Sequence, residues 1–254
     1  VKLARTAIAA LTLASASGAI GGHPAPVLKA RPLASGPQLP AGETTLADGE
    51  TAYRPPAAVA GPLPLLVLLH GAGGYPPNFL QAMEPVADRL RVMLIAPHSR
   101  GTTWDLVQNM AMGEDPWSSG DARRVDQALA ALFARAAVDP SRVVLLGFSD
   151  GASYALSLGV ANPKLFTGVI ALSPGMLAPP SRIDRAQRVF IAHGRSDHVL
   201  AFAATSAMAT SLRDQGANLR FRPFDGDHQI DPASLAEALE WTLAPSAPAR
   251  DLQH

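Results

Sequence analysis

The chain has 254 residues, among them 23 Pro, 21 Gly and no Cys, and its 21 Lys and Arg balance 21 Asp and Glu. The lack of cysteine excludes a disulfide scaffold, a thiolate zinc site and a cysteine nucleophile. A net charge of zero gives no footprint for nucleic acid or an anionic membrane, and 48% hydrophobic with 17% charged residues describes a folded interior.

Residues 1–22 carry Lys2 and Arg5, an apolar run at 6–13, and then Ala14-Ser15-Ala16. A positive start, an apolar middle and a small-x-small site form a secretory signal pattern, with a disordered N-terminus as the bland alternative. The signal reading implies an extracytoplasmic protein, periplasmic or secreted. The segment is too short, and too polar beyond Ile20, to span a bilayer, and no stable membrane insertion is expected elsewhere. A Pro-rich lead follows at 23–42, where regular structure is expected only in an edge hairpin near 44–54. The folded unit is expected at 43–244, with a flexible tail at 245–254.

From Leu63 the pattern alternates. Leu63–Leu69 is a continuous apolar run that reads as a buried parallel strand ending at His70-Gly71. A helix is expected over 78–90, capped by Asn78, then a strand over 92–96 and a long loop over 98–120. Apolar residues at 125, 128, 129, 132, 133 and 136 predict a helix over 121–138. Strands are expected over 142–148, 167–172, 188–192 and 218–224, with helices over 150–162, 201–215 and 232–243. Strands and helices in alternation predict one α/β domain with a mostly parallel central sheet and helices on both faces. Ligands bind such sheets at the carboxyl ends of the strands.

Gly147-Phe148-Ser149-Asp150-Gly151 follows a strong strand and precedes a helix, the context that a G-x-S-x-G nucleophile elbow requires. Serine needs a base, and the base needs an acid to orient it. Asp197 follows the 188–192 strand and His228 follows the 218–224 strand, in the chain order Ser, acid, His. Asp225 or Asp227 could serve as the acid, although neighbours on one short loop would orient His228 poorly. His70 and His193 each precede a glycine at a strand end and are read as holding turn geometry. A metal site at Asp225, Asp227 and His228 is disfavoured, because no second histidine stands at ligand spacing. The expected oxyanion donors are the backbone N–H groups of Asp150 and Ala72, with Gly73 the fallback and a purely structural glycine turn the alternative. Gly73, Trp104 and Trp117 are the candidate substrate-binding residues. The two tryptophans could equally be anchors of the long loop.

The stretches LVLLHGAGG (66–74), VVLLGFSDGASYALSLG (143–159), FTGVIALSPG (166–175), FIAHGRSDHVL (190–200) and DGDH (225–228) together resemble the α/β-hydrolase superfamily. Within it, they are similar to the phospholipase/carboxylesterase and poly(hydroxyalkanoate)-depolymerase-like esterases. The resemblance implies a cofactor-independent serine hydrolase of carboxylic esters, with Ser149, Asp197 and His228 in the catalytic positions. Small esterases of this kind usually carry Gln-Gly-Gly after the serine, whereas Asp150-Gly151-Ala152 stands here. The 173–187 connection leaves no room for a lid domain. The expected substrate is therefore a small or polymeric ester. Alternatives are a polymer-directed esterase (feruloyl, acetylxylan or polyester), an acyl thioesterase, and a non-catalytic binding protein on a hydrolase scaffold.

Overall fold

A computed structural model describes residues 24–47, 49–56, 61–180 and 182–245. The signal pattern at 1–22, and the expected tail beyond Pro245, lie outside the described residues.

The elements are β1 (Gly42–Thr45), β2 (Thr51–Arg54), β3 (Leu63–Leu69), α1 (Pro76–Leu90), β4 (Met93–Ala96), α2 (Asp105–Met112), α3 (Asp121–Phe133), β5 (Val138–Phe148), α4 (Asp150–Ala161), β6 (Gly168–Leu172), β7 (Arg188–Gly194), α5 (Phe202–Asp214), β8 (Asn218–Phe224) and α6 (Pro232–Leu243). The strands form one sheet in the order β1-β2-β4-β3-β5-β6-β7-β8. β2 pairs antiparallel with β1 and β4, and every later pairing is parallel. Among the described residues no helix is long and apolar enough to cross a membrane.

The apolar run of β3 is continuous because both of its faces are covered. Leu65, Val67 and Leu69 pack in the cluster that holds Trp104, Leu129 and Tyr154, while Leu66 and Leu68 pack with Leu80 of α1 and Leu239 of α6. β8 is the far edge, and its exposed Arg220 and Arg222 lie near Glu237 of α6. Charges along an edge strand discourage pairing with another chain.

Three local expectations are corrected. First, α1 starts at Pro76 rather than at Asn78. Proline at the first helical positions has its φ preset and no N–H to lose, and Tyr75 caps without a side-chain bond. Second, the expected 121–138 helix stops at Phe133, and β5 starts at Val138. The cause is tertiary: Ala137 N–H donates to Pro37 O and Val138 N–H to Leu33 O. Third, the 98–120 stretch contains α2, a helix of eight residues closed by Gly113 in the left-handed region (φ 73°).

The same contacts place the Pro-rich lead. Residues 24–41 form no helix or strand, yet Leu28, Ala30 and Leu39 are buried in the core. Leu28 N–H donates to Asn162 Oδ1, and the N–H groups of Lys29 and Ala30 share Asp126 Oδ1. The lead is a strap across the folded unit.

Candidate active site

β5 ends in a turn that only its own sequence can make. Ser149 has φ 58° and ψ −121°, a strained backbone for a residue with a Cβ. A Cβ at Gly147 would lie 2.0 Å from Gly151 O, and one at Gly151 would lie 2.2 Å from Leu69 O. Glycine at both positions is therefore a steric requirement. Ser149 N–H donates to Leu172 O at 2.9 Å, which holds the turn against β6.

α4 begins at Asp150, so the positive end of its dipole lies beside the serine. The helix is buried from Gly151 to Val160. Two of its serines pin the chain beyond β6. Ser153 Oγ accepts from the N–H groups of Gly175 and Met176, and Ser157 Oγ accepts from that of Ala178.

The structure brings Ser149, His228 and Asp197 together. His228 Nε2 is 2.9 Å from Ser149 Oγ, and His228 Nδ1 is 2.8 Å from Asp197 Oδ2. The Asp197 carboxylate has no exposed surface, and the His228 side chain keeps 14%. Burial pushes the Asp197 carboxyl up. Hydrogen bonds from Leu200 N–H, His228 and Val199 N–H outweigh burial and hold the group below its ordinary value. An ionised carboxylate only accepts, so His228 carries its proton on Nδ1 and offers the Nε2 lone pair to the serine hydroxyl.

Asp225 and Asp227 have other roles. Asp225 is exposed, 3.5 Å from Arg195. Asp227 Oδ1 accepts the N–H groups of His198 and His228, at 3.0 and 2.7 Å, and so ties the loop carrying the acid to the loop carrying the base. Those two backbone bonds are the main reason that its carboxyl lies below the ordinary value.

The turn after β3 lies against the serine: a Cβ at Gly71 would be 3.2 Å from Ser149 Cβ. Gly74 N–H closes this turn on Gly71 O, and Gly73 N–H donates to Thr102 O at 2.6 Å. Gly73 is thereby spent as an oxyanion donor. Among the described residues no backbone acceptor takes the N–H of Ala72 or Asp150. His70 holds the turn from below. Its Nδ1–H donates to Gly71 O, and its Nε2 accepts from Ser99 N–H. Burial lowers its pKa, as a neutral ring in these roles requires.

A cleft of about 390 Å³ opens beside the serine, lined by Gly71, Gly73, Tyr75, Phe79, Phe148 and Ile230 among others. Gly73 is thus at the cleft, as expected, but the tryptophans are not. Trp104 is fully buried, stacked on Tyr154 at 4.7 Å, with its indole N–H on His70 O at 2.8 Å. It has no surface to offer a ligand and instead anchors the turn after β3. Trp117 is half-buried, edge-on to Tyr154 at 5.9 Å, and does not line the cleft. The apolar wall is Phe79, Phe148 and Ile230. Two of these could have been found from sequence, since Phe148 is the variable residue of the elbow and Ile230 follows His228 by two.

The 98–120 stretch is held by paired carboxylates. Asp121 Oδ2 accepts Asp105 N–H at 2.8 Å, and Asp105 Oδ2 accepts Asp121 N–H at 3.0 Å, so each serves the first turn of the other's helix. Thr103 Oγ donates to Asp150 Oδ2 at 2.5 Å, which gives the unusual carboxylate after the nucleophile a partner.

A serine on a strand-to-helix turn, in a mostly parallel sheet of this strand order, defines an α/β-hydrolase. The chain belongs to the Phospholipase/Carboxylesterase family, which matches residues 60–244, and it is an enzyme acting on ester bonds. It is 25% identical to acyl-protein thioesterase 1 of Neurospora crassa over 209 residues, 69% of this chain and 84% of that protein. It is 29% identical to the putative esterase NocK of Nocardia uniformis subsp. tsuyamanensis over 151 residues, 56% of this chain but only 43% of that protein. Among solved structures it is similar to esterase PE8, with TM-score 0.58, 23% identity, and coverage of 82% of this chain and 97% of that one. It is also similar to the carboxylesterase of Bacillus cereus, with TM-score 0.52, 20% identity, and coverage of 71% and 87%. At these identities the structural likeness is one of fold.

Proposed function

We propose that the chain is a serine carboxylesterase working through an acyl-enzyme, with Ser149 as nucleophile, His228 as general base and then acid, and Asp197 as the group that orients His228. The observation that carries this reading is the unbroken path from Ser149 Oγ through His228 to Asp197, at 2.9 and 2.8 Å. Attack on the ester carbonyl passes the serine proton to His228 Nε2, and the imidazolium then protonates the leaving alkoxide. The N–H groups of Ala72 and Asp150 receive the developing oxyanion, reinforced by the dipole of α4. Water attacks the acyl-enzyme by the same route in reverse.

The cleft favours apolar esters, since Phe79, Phe148 and Ile230 offer apolar contact in about 390 Å³. The short segment after β6, pinned to α4 by Ser153 and Ser157, forms no lid domain, which supports action on soluble or polymeric esters. A thioester substrate is the second reading, favoured by the likeness to an acyl-protein thioesterase over 84% of that protein's length. The basic, apolar and small-residue pattern of residues 1–22 supports export.

The test compares the wild type with Ser149→Ala on a fluorophosphonate probe and on p-nitrophenyl esters of graded acyl length, feruloyl esters, a polyester film and an acyl thioester. Wild type should label and turn over esters, and Ser149→Ala should do neither. Equal labelling of the two proteins would overturn the assignment. Fractionation of cells expressing the full chain tests export.

A further inference from the structure

His193 is the last-but-one residue of β7, and its side chain has no exposed surface. The mechanism above makes no use of it, yet each of its ring nitrogens faces a defined partner. Nε2 lies 3.0 Å from Leu200 O and 3.1 Å from Asp197 Oδ2. Nδ1 lies 2.9 Å from Thr205 Oγ1, and that hydroxyl is also 2.6 Å from Pro174 O. The ring of Phe202 closes another side, edge-on at 6.0 Å.

These partners fix the tautomer. Leu200 O and the Asp197 carboxylate are both acceptors, so a lone pair on Nε2 would face two oxygens. The proton therefore sits on Nε2, and the Nδ1 lone pair is left to the Thr205 hydroxyl, whose single proton serves either Nδ1 or Pro174 O. Burial lowers the pKa of His193, in keeping with a neutral ring.

We propose that His193 is a positioning residue of the catalytic centre: its Nε2–H donates to Leu200 O and lies 3.1 Å from the same Asp197 oxygen that accepts from His228, holding Asp197 from behind, and Thr205 anchors the far end of the chain of contacts. This inference rests on the triad reading above. Leu200 completes the clamp. Its N–H donates to Asp197 Oδ1 at 2.8 Å while its carbonyl faces His193 Nε2 at 3.0 Å, so both carboxylate oxygens are referred to one backbone residue and one ring. A carboxylate held in plane this way keeps its Oδ2 aligned with His228 Nδ1. Without His193, Oδ1 keeps its bonds from Val199 and Leu200 N–H, but Oδ2 is left to His228 alone and the imidazole loses part of its fixed orientation. A histidine that merely filled the turn would need neither the Nε2–H nor the hydroxyl behind it.

Two amide variants separate these roles. In His193→Gln the amide nitrogen falls near the former Nε2 and can still donate to Leu200 O beside Asp197. In His193→Asn it falls near the former Nδ1 and reaches only Thr205. We expect His193→Gln to keep kcat within about twofold of wild type. His193→Asn should lose about 10-fold in kcat on a p-nitrophenyl ester, with KM within about twofold. Melting temperatures identify the folded variants. Thr205→Val, which keeps the side-chain shape, should lose about threefold in kcat at unchanged KM, and it carries the test if His193→Asn does not fold. The inference is overturned if the Gln and Asn variants share one kcat, whether near wild type or equally low, or, where Thr205→Val carries the test, if that variant matches wild type. Ser149→Ala run alongside keeps the two questions apart. If it loses labelling while the His193 variants match one another, only the positioning role falls. If it retains labelling, the triad reading falls first.

Discussion

The two sides of β5 are built from different materials. Towards β3 and β4, the groups that build the site are backbone: the Gly71–Gly74 turn, the Ala72 N–H and the carbonyl of Thr102 that holds Gly73. Towards β7 and β8 they are side chains: Asp197, His228, and behind them Asp227 and His193. A backbone donor survives every substitution but proline, and otherwise is only displaced by loosening what frames it. A side chain can be deleted while its frame stays. Substitutions on the β7–β8 side should therefore cost rate, and those on the β3–β4 side should cost stability first.

The largest effect is expected at the triad. Asp197→Asn should lower kcat about 10⁴-fold, equivalent to about 5.5 kcal/mol, because an amide there leaves His228 in the wrong tautomer. The melting temperature should fall only by the share that the ionised carboxylate contributes, a loss far smaller than the loss of rate. Steady-state kinetics beside a calorimetric scan check this, and a variant that lost stability and rate in parallel would break the division between the two sides.

Trp104 is the counterpart on the backbone side. Trp104→Ala should cost about 3–5 kcal/mol of unfolding free energy through the cavity it leaves. Trp104→Phe should cost about 1–2 kcal/mol, chiefly by leaving His70 O without the indole N–H. Urea titrations measure both. Loss of turnover without loss of stability in either variant would mean that Trp104 touches substrate after all.

The difference between the sides also governs what could be read from sequence. Ser149, Asp197 and His228 were legible because each follows a recognisable strand, and because the elbow announces itself in five residues. The sheet was legible for the same reason: runs such as Leu63–Leu69 carry their own periodicity. What escaped depends on contacts between distant segments. The start of β5 at Val138 is set by Leu33 and Pro37, and the lead reads as an unstructured connector until Leu28 and Leu39 are seen buried. Trp104 could have been wall or anchor, and the deciding contact lies 34 residues away at His70. By sequence alone His193 reads as a turn residue. The signal it did carry was Asp197 four residues on, the spacing that returns a side chain to the residue before a tight turn.

Acid titration should give the two sides opposite signs. On the β7–β8 side, Asp197 and Asp227 have folded pKa values below the ordinary 3.8. The stability they contribute is complete above that value and is lost as the pH falls through their lower folded values. On the other side, burial raises Asp121 above 3.8 despite the N–H bonds from Asp105 and Arg100. Its contribution is complete below the ordinary value and is lost as the pH rises through the folded one. Melting temperatures followed by circular dichroism should fall on acidification past about pH 4, and Asp227→Asn should make that fall shallower. An unchanged slope in the variant would remove Asp227 from the acid-sensitive set.

The smallest effect should come from Thr103, a further side chain that supports the backbone half. Its hydroxyl donates to Asp150, whose own N–H is the proposed oxyanion donor. Thr103→Val removes the hydroxyl and keeps the shape, so only that bond is lost. The segment around it stays tied by Thr102 O to Gly73, by the Trp104 indole to His70 O, and by Asp121 to the N–H groups of Arg100 and Asp105. Asp150 itself is fixed by α4, and its carboxylate, at the half-buried mouth of the site, can turn to water. The cost should be about 1 kcal/mol of stability and less than about threefold in kcat. A loss near 100-fold would mean that the oxyanion side works through the Asp150 side chain, and the contrast drawn across β5 would have to be redrawn around it.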